Sequence, residues 1–300
     1  MQLHSHISKH KLPILLVAGI CLLSACYTNK LSKLAPTEQY PDDTWLSQQS
    51  NKRALIIVAH DDDALGCAGT ITQLCEQGWQ VSMFCLYPDI SRVADRNAQR
   101  QIDIKNAIAI QGIQDIRWHE FIYRKDLETS QTAYYPVPES SFDTLFFTDT
   151  LLSLINAHIE DWKPSVIFTL DDQIGGYGHP EHKYISMLAL RCAKEHQLAK
   201  GGTVERVYQA VFSPSQAETS LKDSEVYQAA KEVYHCQGMP IPTTQINIQS
   251  AADKKYRAMQ AYTTEQPNIL RVWLYYNKVD ADTYFNIFDR EFFRVIETGE

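Results

Sequence analysis

Residues 54–63 read ALIIVAHDDD: six apolar residues, Ala54 to Ala59, run directly into His60, Asp61, Asp62 and Asp63. A short, continuous apolar run rich in β-branched residues is the pattern of a parallel strand covered on both faces, because alternation appears only where one face meets water. The pattern recurs farther along the chain. Residues 165–170 (SVIFTL) read as another buried strand, followed by Asp171-Asp172-Gln173-Ile174-Gly175-Gly176-Tyr177-Gly178-His179-Pro180-Glu181-His182. In a doubly wound sheet, ligands bind outside the carboxyl ends of the strands, where the strand order reverses. Two polar clusters distant in sequence can therefore meet there.

The surrounding chain supports that sheet. Residues 66–77 read as a helix with Gly78 placed to stop it, 80–87 as a second strand, 95–110 as a long helix and 116–121 as a third strand. Residues 124–141 read as a loop, whose Tyr134 and Tyr135 could stack on a sugar ring. Helical spacing returns over 144–161 and 182–196, and 204–212 reads as a fifth strand. This order predicts an α/β fold: a doubly wound, Rossmann-like open sheet, mostly parallel, with helices on both faces. Residues 213–250 are polar and resist assignment apart from a helix over 224–236. A helix over 254–262 and an aromatic-rich segment over 283–296 follow. No internal repeat is present, so one domain over 51–300 is expected.

Composition excludes several classes. The 300 residues are 44% hydrophobic and 21% charged, with only 12 Gly and 12 Pro, which rules out collagen-like, low-complexity and disordered chains. A net charge of −8 argues against a nucleic-acid partner, which needs a basic face. Seven Cys are too sparse for a disulfide scaffold. Cys67 and Cys75 would stand about 12 Å apart along one helix, too far to bridge. His119, His158, His196 and His235 occupy ordinary helix or loop positions and read as structural.

The clusters carry the chemistry. Each offers His and carboxylate, ligands that Zn²⁺ prefers, and two His with one carboxylate plus an open position is a catalytic zinc arrangement. His60 and Asp63, three apart, suit a turn wrapping one ion. Asp62 beside them can face the reacting water and take its proton. His179 and His182 are also three apart, so one can bind metal while the other faces the reacting carbonyl. Glycines at 175, 176 and 178 allow close backbone approach and bring Tyr177 in. An iron(II) ion is served equally by two His and one Asp.

These residues resemble a known family. Ala59-His60-Asp61-Asp62-Asp63-Ala64 resembles the AHPDDE signature of the PIG-L/LmbE-like zinc-dependent N-deacetylases, and residues 175–182 (GGYGHPEH) resemble the GGYGHPDH segment of its mycothiol-pathway deacetylases and amidases. Residues 66–70 look like the family's glycine-rich helix start. Arg100, Asp103, Ala107 and Gly112 are similar to its R-x-x-E helix, and the likeness spans about 53–190 with a fainter match over 255–266. The resemblance implies zinc ligands at His60, Asp63 and His182, and Asp62 as general base. It makes His179 an oxyanion stabiliser or proton donor and Tyr177 a hydrogen-bond donor. It makes Glu181 a carboxylate orienting a neighbouring His, and Arg100 a sugar contact. The implied reaction removes an N-acyl group, above all acetyl, from an N-acetylglucosamine-type sugar or glycoconjugate.

The chain also departs from the pattern. Asp61 replaces the usual Pro, Ala64 the usual Glu, Glu181 the usual Asp and Tyr262 a frequent His. Asp61 could restore the lost carboxylate from another direction. None of these removes a metal ligand, so activity is expected to survive with a different substrate pocket. A metal- or glycan-binding lipoprotein without turnover, and an amidase acting on a peptide or amino-acid conjugate, are the rival readings.

The N-terminus is separate. His4, His6, Lys9, His10 and Lys11 precede an apolar run over 12–25. That run is shorter than the roughly 20 residues of a spanning helix and reads as a secretory signal. Leu23-Ser24-Ala25-Cys26 resembles the lipobox of bacterial lipoproteins, which implies a signal over 1–25 and lipidation at Cys26. The protein would then be exported and anchored to the bacterial membrane. Tyr27 at the next position favours the outer membrane or cell surface in a Gram-negative source. Residues 26–50, polar with two prolines, read as a tether.

Overall fold

The computed structural model describes residues 25–86, 94–119, 123–126 and 133–299; the signal read over 1–25 lies outside them except for its last residue. Seven strands form one sheet: β1 (Arg53–Val58), β2 (Gln80–Leu86), β3 (Asp115–His119), β4 (Val166–Leu170), β5 (Arg206–Val211), β6 (Thr244–Asn247) and β7 (Arg290–Glu297). Their order is β3-β2-β1-β4-β5-β7-β6. β1 pairs in parallel with both β2 and β4, so the order reverses between β1 and β4. β7 and β6 close the sheet antiparallel.

The continuous apolar runs are explained by two cores. Leu55, Ile57, Phe84 and Ile167 pack on one face, while Ile56, Val58, Met83 and Phe168 pack on the other. Each fully buried Leu, Ile or Phe side chain contributes about 1.5–3 kcal/mol, so a polar residue at any of these positions would cost both its own burial and its neighbours' contacts.

The helices are α1 (25–32), α2 (Ala68–Glu76), α3 (Ala94–Gln111), α4 (Phe142–Leu145), α5 (Thr148–Trp162) and α6 (Gly175–Gly178). After them come α7 (Pro180–Leu198), α8 (Pro214–Leu221), α9 (Glu225–Val233), α10 (Ala252–Ala261), α11 (Gln266–Val272) and α12 (Ala281–Ile287). α5 and α7 cover the first core, and α2 covers the second. Among the described residues no helix is long and apolar enough to cross a membrane.

Differences from the sequence reading have local causes. The helix expected over 66–77 is α2, entered through a 3-10 turn, Asp61–Cys67, that the sequence reading did not separate from it. The helix expected over 144–161 breaks where Phe146 takes an extended conformation. The helix expected over 224–236 is α9, and the rest of the 213–250 stretch holds α8 and β6. The aromatic-rich end is α12 followed by β7, whose partners lie far away in sequence. Residues 26–50 do not hang free as a tether. Leu31 and Leu46 are buried, Gln245 N donates to Pro41 O at 3.0 Å, and the Tyr208 hydroxyl donates to Asp43 at 2.6 Å. Bonds to residues so distant are invisible in local composition.

Candidate active site

The turn after β1 is built by its own side chains. His60 is extended (φ −115°, ψ 156°) and caps the 3-10 turn; Asp63 Oδ2 accepts from His60 N at 2.9 Å. This local bond fixes Asp63 beside His60, which their spacing anticipated. Asp61 is fully buried under the turn, and Tyr262 donates its hydroxyl to the Asp61 carbonyl at 3.0 Å. Tyr262 therefore keeps a structural bond where a His was usual.

The segment after β4 needs its glycines. Asp171, buried, accepts from the backbone N–H of Ile174 at 2.7 Å and of Gly176 at 2.6 Å. Gly175 has φ +65° and Gly178 φ +109°. A Cβ at Gly175 would lie 2.4 Å from Lys183 N, and one at Gly178 would lie 2.5 Å from Ala230 Cβ. Only glycine fits both conditions. The chain then enters α7 with Pro180 in the first turn and His179 Nδ1 accepting from Glu181 N at 3.2 Å.

The two segments meet. His60 Nδ1 lies 2.9 Å from His182 Nε2, and Asp63 reaches both, at 3.2 Å from His182 Nε2 and 3.7 Å from His60 Nδ1. His60 Nε2 is held by Glu181 Oε2 at 2.8 Å. In the neutral ring that bond keeps the proton on Nε2 and leaves the Nδ1 lone pair pointing at His182 and Asp63. Two imidazole nitrogens and a carboxylate converging on one point suit a divalent cation, and the mixed nitrogen–oxygen set suits zinc. His179 also offers a ligand atom within 4.8 Å of His60 and His182. Its Nδ1, however, accepts a backbone N–H, so its proton sits on Nε2. That makes it a donor rather than a ligand.

Electrostatics divides the site. Burial pushes the Asp61, Asp62 and Asp63 carboxyls up, each to about 6, against the pull of Arg100 on the first two and of His60 on the third. Burial pushes His179 and His182 well below the usual histidine range, with the neighbouring histidines adding to it. Burial opposes charge on His60 too, yet the Glu181 hydrogen bond and Asp63 raise it to about 9. The point where a cation would sit thus attracts a proton. Tyr177 is raised well above 10 by burial and stays a hydroxyl donor; its ring lies 5.1 Å from that of His182.

Arg100, expected as a sugar contact, stands at the cavity wall and is also engaged by carboxylates. It is buried, with Nε 2.8 Å and Nη2 2.5 Å from Asp61 and Nη1 2.9 Å from Glu265. Its guanidinium is engaged by the Asp61 and Glu265 carboxylates. Glu181 does contact His60 as expected, and Tyr123, which donates to Glu181 at 2.8 Å, was missed. So was Glu265. Tyr123 lies in the connection after β3 and Glu265 in that between α10 and α11, with no local pattern to mark them, although Glu265 falls in the faintly matching 255–266 stretch.

All of the metal and catalytic candidates line one cavity of about 1280 Å³, together with Tyr134, Met239, Arg271 and Trp273. The described cysteines are all free thiols.

Fold and site together place the chain among the de-N-acetylases, hydrolases of amide carbon–nitrogen bonds. Residues 55–193 match the family described as PIG-L: GlcNAc-PI de-N-acetylase. A 1D-myo-inositol 2-acetamido-2-deoxy-alpha-D-glucopyranoside deacetylase of Actinosynnema mirum is 25% identical, over 71% of this chain and 80% of that protein. The N,N'-diacetylchitobiose deacetylase from Pyrococcus horikoshii shares the fold with a TM-score of 0.52 and 16% identity, covering 83% of this chain and 85% of that one. A deacetylase of the teicoplanin biosynthesis pathway, solved with teicoplanin, has a TM-score of 0.51 and 17% identity over 83% of this chain and 100% of its own.

Proposed function

We propose that this protein is a zinc-dependent de-N-acetylase acting on an N-acetylglucosamine-type unit of a glycoconjugate. The observation that carries the reading is the convergence of His60, Asp63 and His182 at the floor of a cavity that also presents Asp62, Tyr177 and His179. The named relatives act on N-acetylated sugars, which supports the substrate class. A cavity of about 1280 Å³ exceeds the usual 300–1,000 Å³ of a small-molecule pocket, and so favours a sugar with a large attached group over a free monosaccharide.

His60, Asp63 and His182 would hold the ion. A bound zinc supplies a Lewis acid that acidifies water and polarises the acyl carbonyl. Asp62, at the cavity wall and with its carboxyl raised to about 6, takes the proton of the attacking water. The Tyr177 hydroxyl and the His179 Nε2–H donate to the developing oxyanion, and the proton that Asp62 took from the water passes to the nitrogen as the carbon–nitrogen bond breaks and the amine leaves. Glu181, held by Tyr123, keeps the His60 ring turned with Nδ1 inward. Replacing Asp62 with Asn should leave zinc bound and lower kcat by a factor on the order of 10²–10⁴, measured as amine release from N-acetyl sugars. A fully active variant would remove the base from the mechanism.

We also propose that the protein is exported and lipid-anchored through Cys26. The residue is exposed at the start of α1, where a thiol could be acylated. Mass spectrometry of the mature N-terminus tests this; an unmodified Cys26 or an uncleaved leader refutes it.

A further inference from the structure

We propose that Glu265 is a positioning residue that, through Arg100, keeps the Asp62 carboxylate out of a tight ion pair and available to the reacting water. Among the described residues, three carboxylates meet the Arg100 guanidinium, at unequal distances. Asp61 Oδ1 lies 2.8 Å from Nε and 2.5 Å from Nη2, and Glu265 Oε1 lies 2.9 Å from Nη1. Asp62 Oδ1 is farther, at 3.4 Å from Nη2. A guanidinium gives its strongest bonds to carboxylates at 2.7–2.9 Å, so of these three Asp61 and Glu265 hold it more tightly than Asp62 does.

Glu265 is fixed for this task. It is 2% exposed, and its second oxygen accepts from Asn268 Nδ2 at 2.8 Å. The residues before it are tied to α3, the helix that carries Arg100. Asp103 accepts from Thr264 N at 2.8 Å and from the Thr263 hydroxyl at 2.9 Å. Tyr262 reaches across to the Asp61 carbonyl. A segment remote in sequence thus clamps both the turn bearing Asp62 and the cation beside it. Without the Glu265 charge, a buried guanidinium loses compensation, and among the described residues Asp62, already 3.4 Å away, is near enough to answer it. The carboxylate would then turn from the cavity toward Arg100.

The inference rests on Asp62 being the base, and the experiment separates the two. In Glu265→Gln, zinc content and KM should stay within about twofold of the native protein while kcat falls about tenfold to hundredfold, as a shift on the order of 1 Å in a reacting group costs. In a background of Asp62→Asn, the same change should have almost no further effect on kcat. An equal loss in both backgrounds, or none in the native one, overturns the proposal. Asn268→Ala, which loosens Glu265 without removing its charge, should give a smaller loss of the same kind if Glu265→Gln folds poorly. A crystal structure of the Gln variant reads the clamp without turnover: the Arg100–Asp62 distance should contract from 3.4 Å to a direct pair, and an unchanged distance refutes it. A native protein that releases no amine from any N-acetyl sugar overturns the function while the crystallographic result still decides the clamp.

Discussion

Clusters of similar residue types sit at opposite ends of the same sheet, on different strands. At the carboxyl ends of β1 and β4, His60, His182 and Asp63 face a cavity. Toward the amino end of β2 and β3, Ser82, His158 and Asp115 also come together. Ser82 Oγ lies 2.8 Å from His158 Nε2 and donates to Asp115 at 2.7 Å. The second group superficially has the makings of a nucleophile, but its hydrogen bonds run the wrong way. The serine proton goes to the aspartate, so His158 must donate to the hydroxyl rather than accept from it, and Ser82 is fully buried. Residue type therefore does not make a site in this sheet. Access at the strand ends where the order reverses does, along with free lone pairs aimed at one point.

The contrast can be broken by substitution. The largest effect belongs to His182→Ala, which should abolish stoichiometric zinc binding and reduce turnover by more than about 10³-fold, checked by metal analysis beside amine release. Zinc retained at full occupancy would show that His179 serves as a ligand after all. Glu181→Gln should weaken zinc affinity about 10- to 100-fold by loosening the His60 ring, read by competition with a chelator.

A smaller effect is set by pH. His60 is raised to about 9 before metal binds, so the ion competes with a proton there. Below that value zinc affinity should rise by about tenfold per pH unit, a slope measurable by calorimetry between pH 6.5 and 8.5. An affinity independent of pH over that range would take His60 out of the ligand set.

The smallest effect on turnover belongs to the other cluster. Ser82→Ala and His158→Gln should leave kcat/KM within about twofold while altering stability by about 1–3 kcal/mol. Burial, with Arg117 nearby, lowers His158 to about 4. The unfolded chain takes up that proton below about 6.5, so the stability present above 6.5 is lost as pH falls toward 4, by at most about 3 kcal/mol. His158→Gln should flatten that part of the unfolding curve. A variant that lost activity at neutral pH would mean the two ends of the sheet are coupled.

The parallel half of the molecule was readable because its signals are local. A run such as ALIIVA needs two covered faces, and His60, Asp62 and Asp63 follow it within one turn. Gly175, Gly178 and His182 likewise announce a tight turn into a helix. The antiparallel edge was not readable: β6 spans only Thr244–Asn247, and β7 pairs with a strand more than 80 residues away. The attachment of 26–50 was hidden for the same reason, since single bonds such as Tyr208 to Asp43 leave no periodicity.

By itself, then, the amino-acid sequence determined the sheet's central strands, the residue types at their ends and the family they resemble, because backbone sterics and burial act over a few residues. Only the tertiary structure decided what those residues do to one another. It made Arg100 the hub of Asp61, Asp62 and Glu265, and set the His60 ring through Glu181 and Tyr123. Charges and protons in a buried site respond to whatever lies within a few ångströms, however far away it is along the chain.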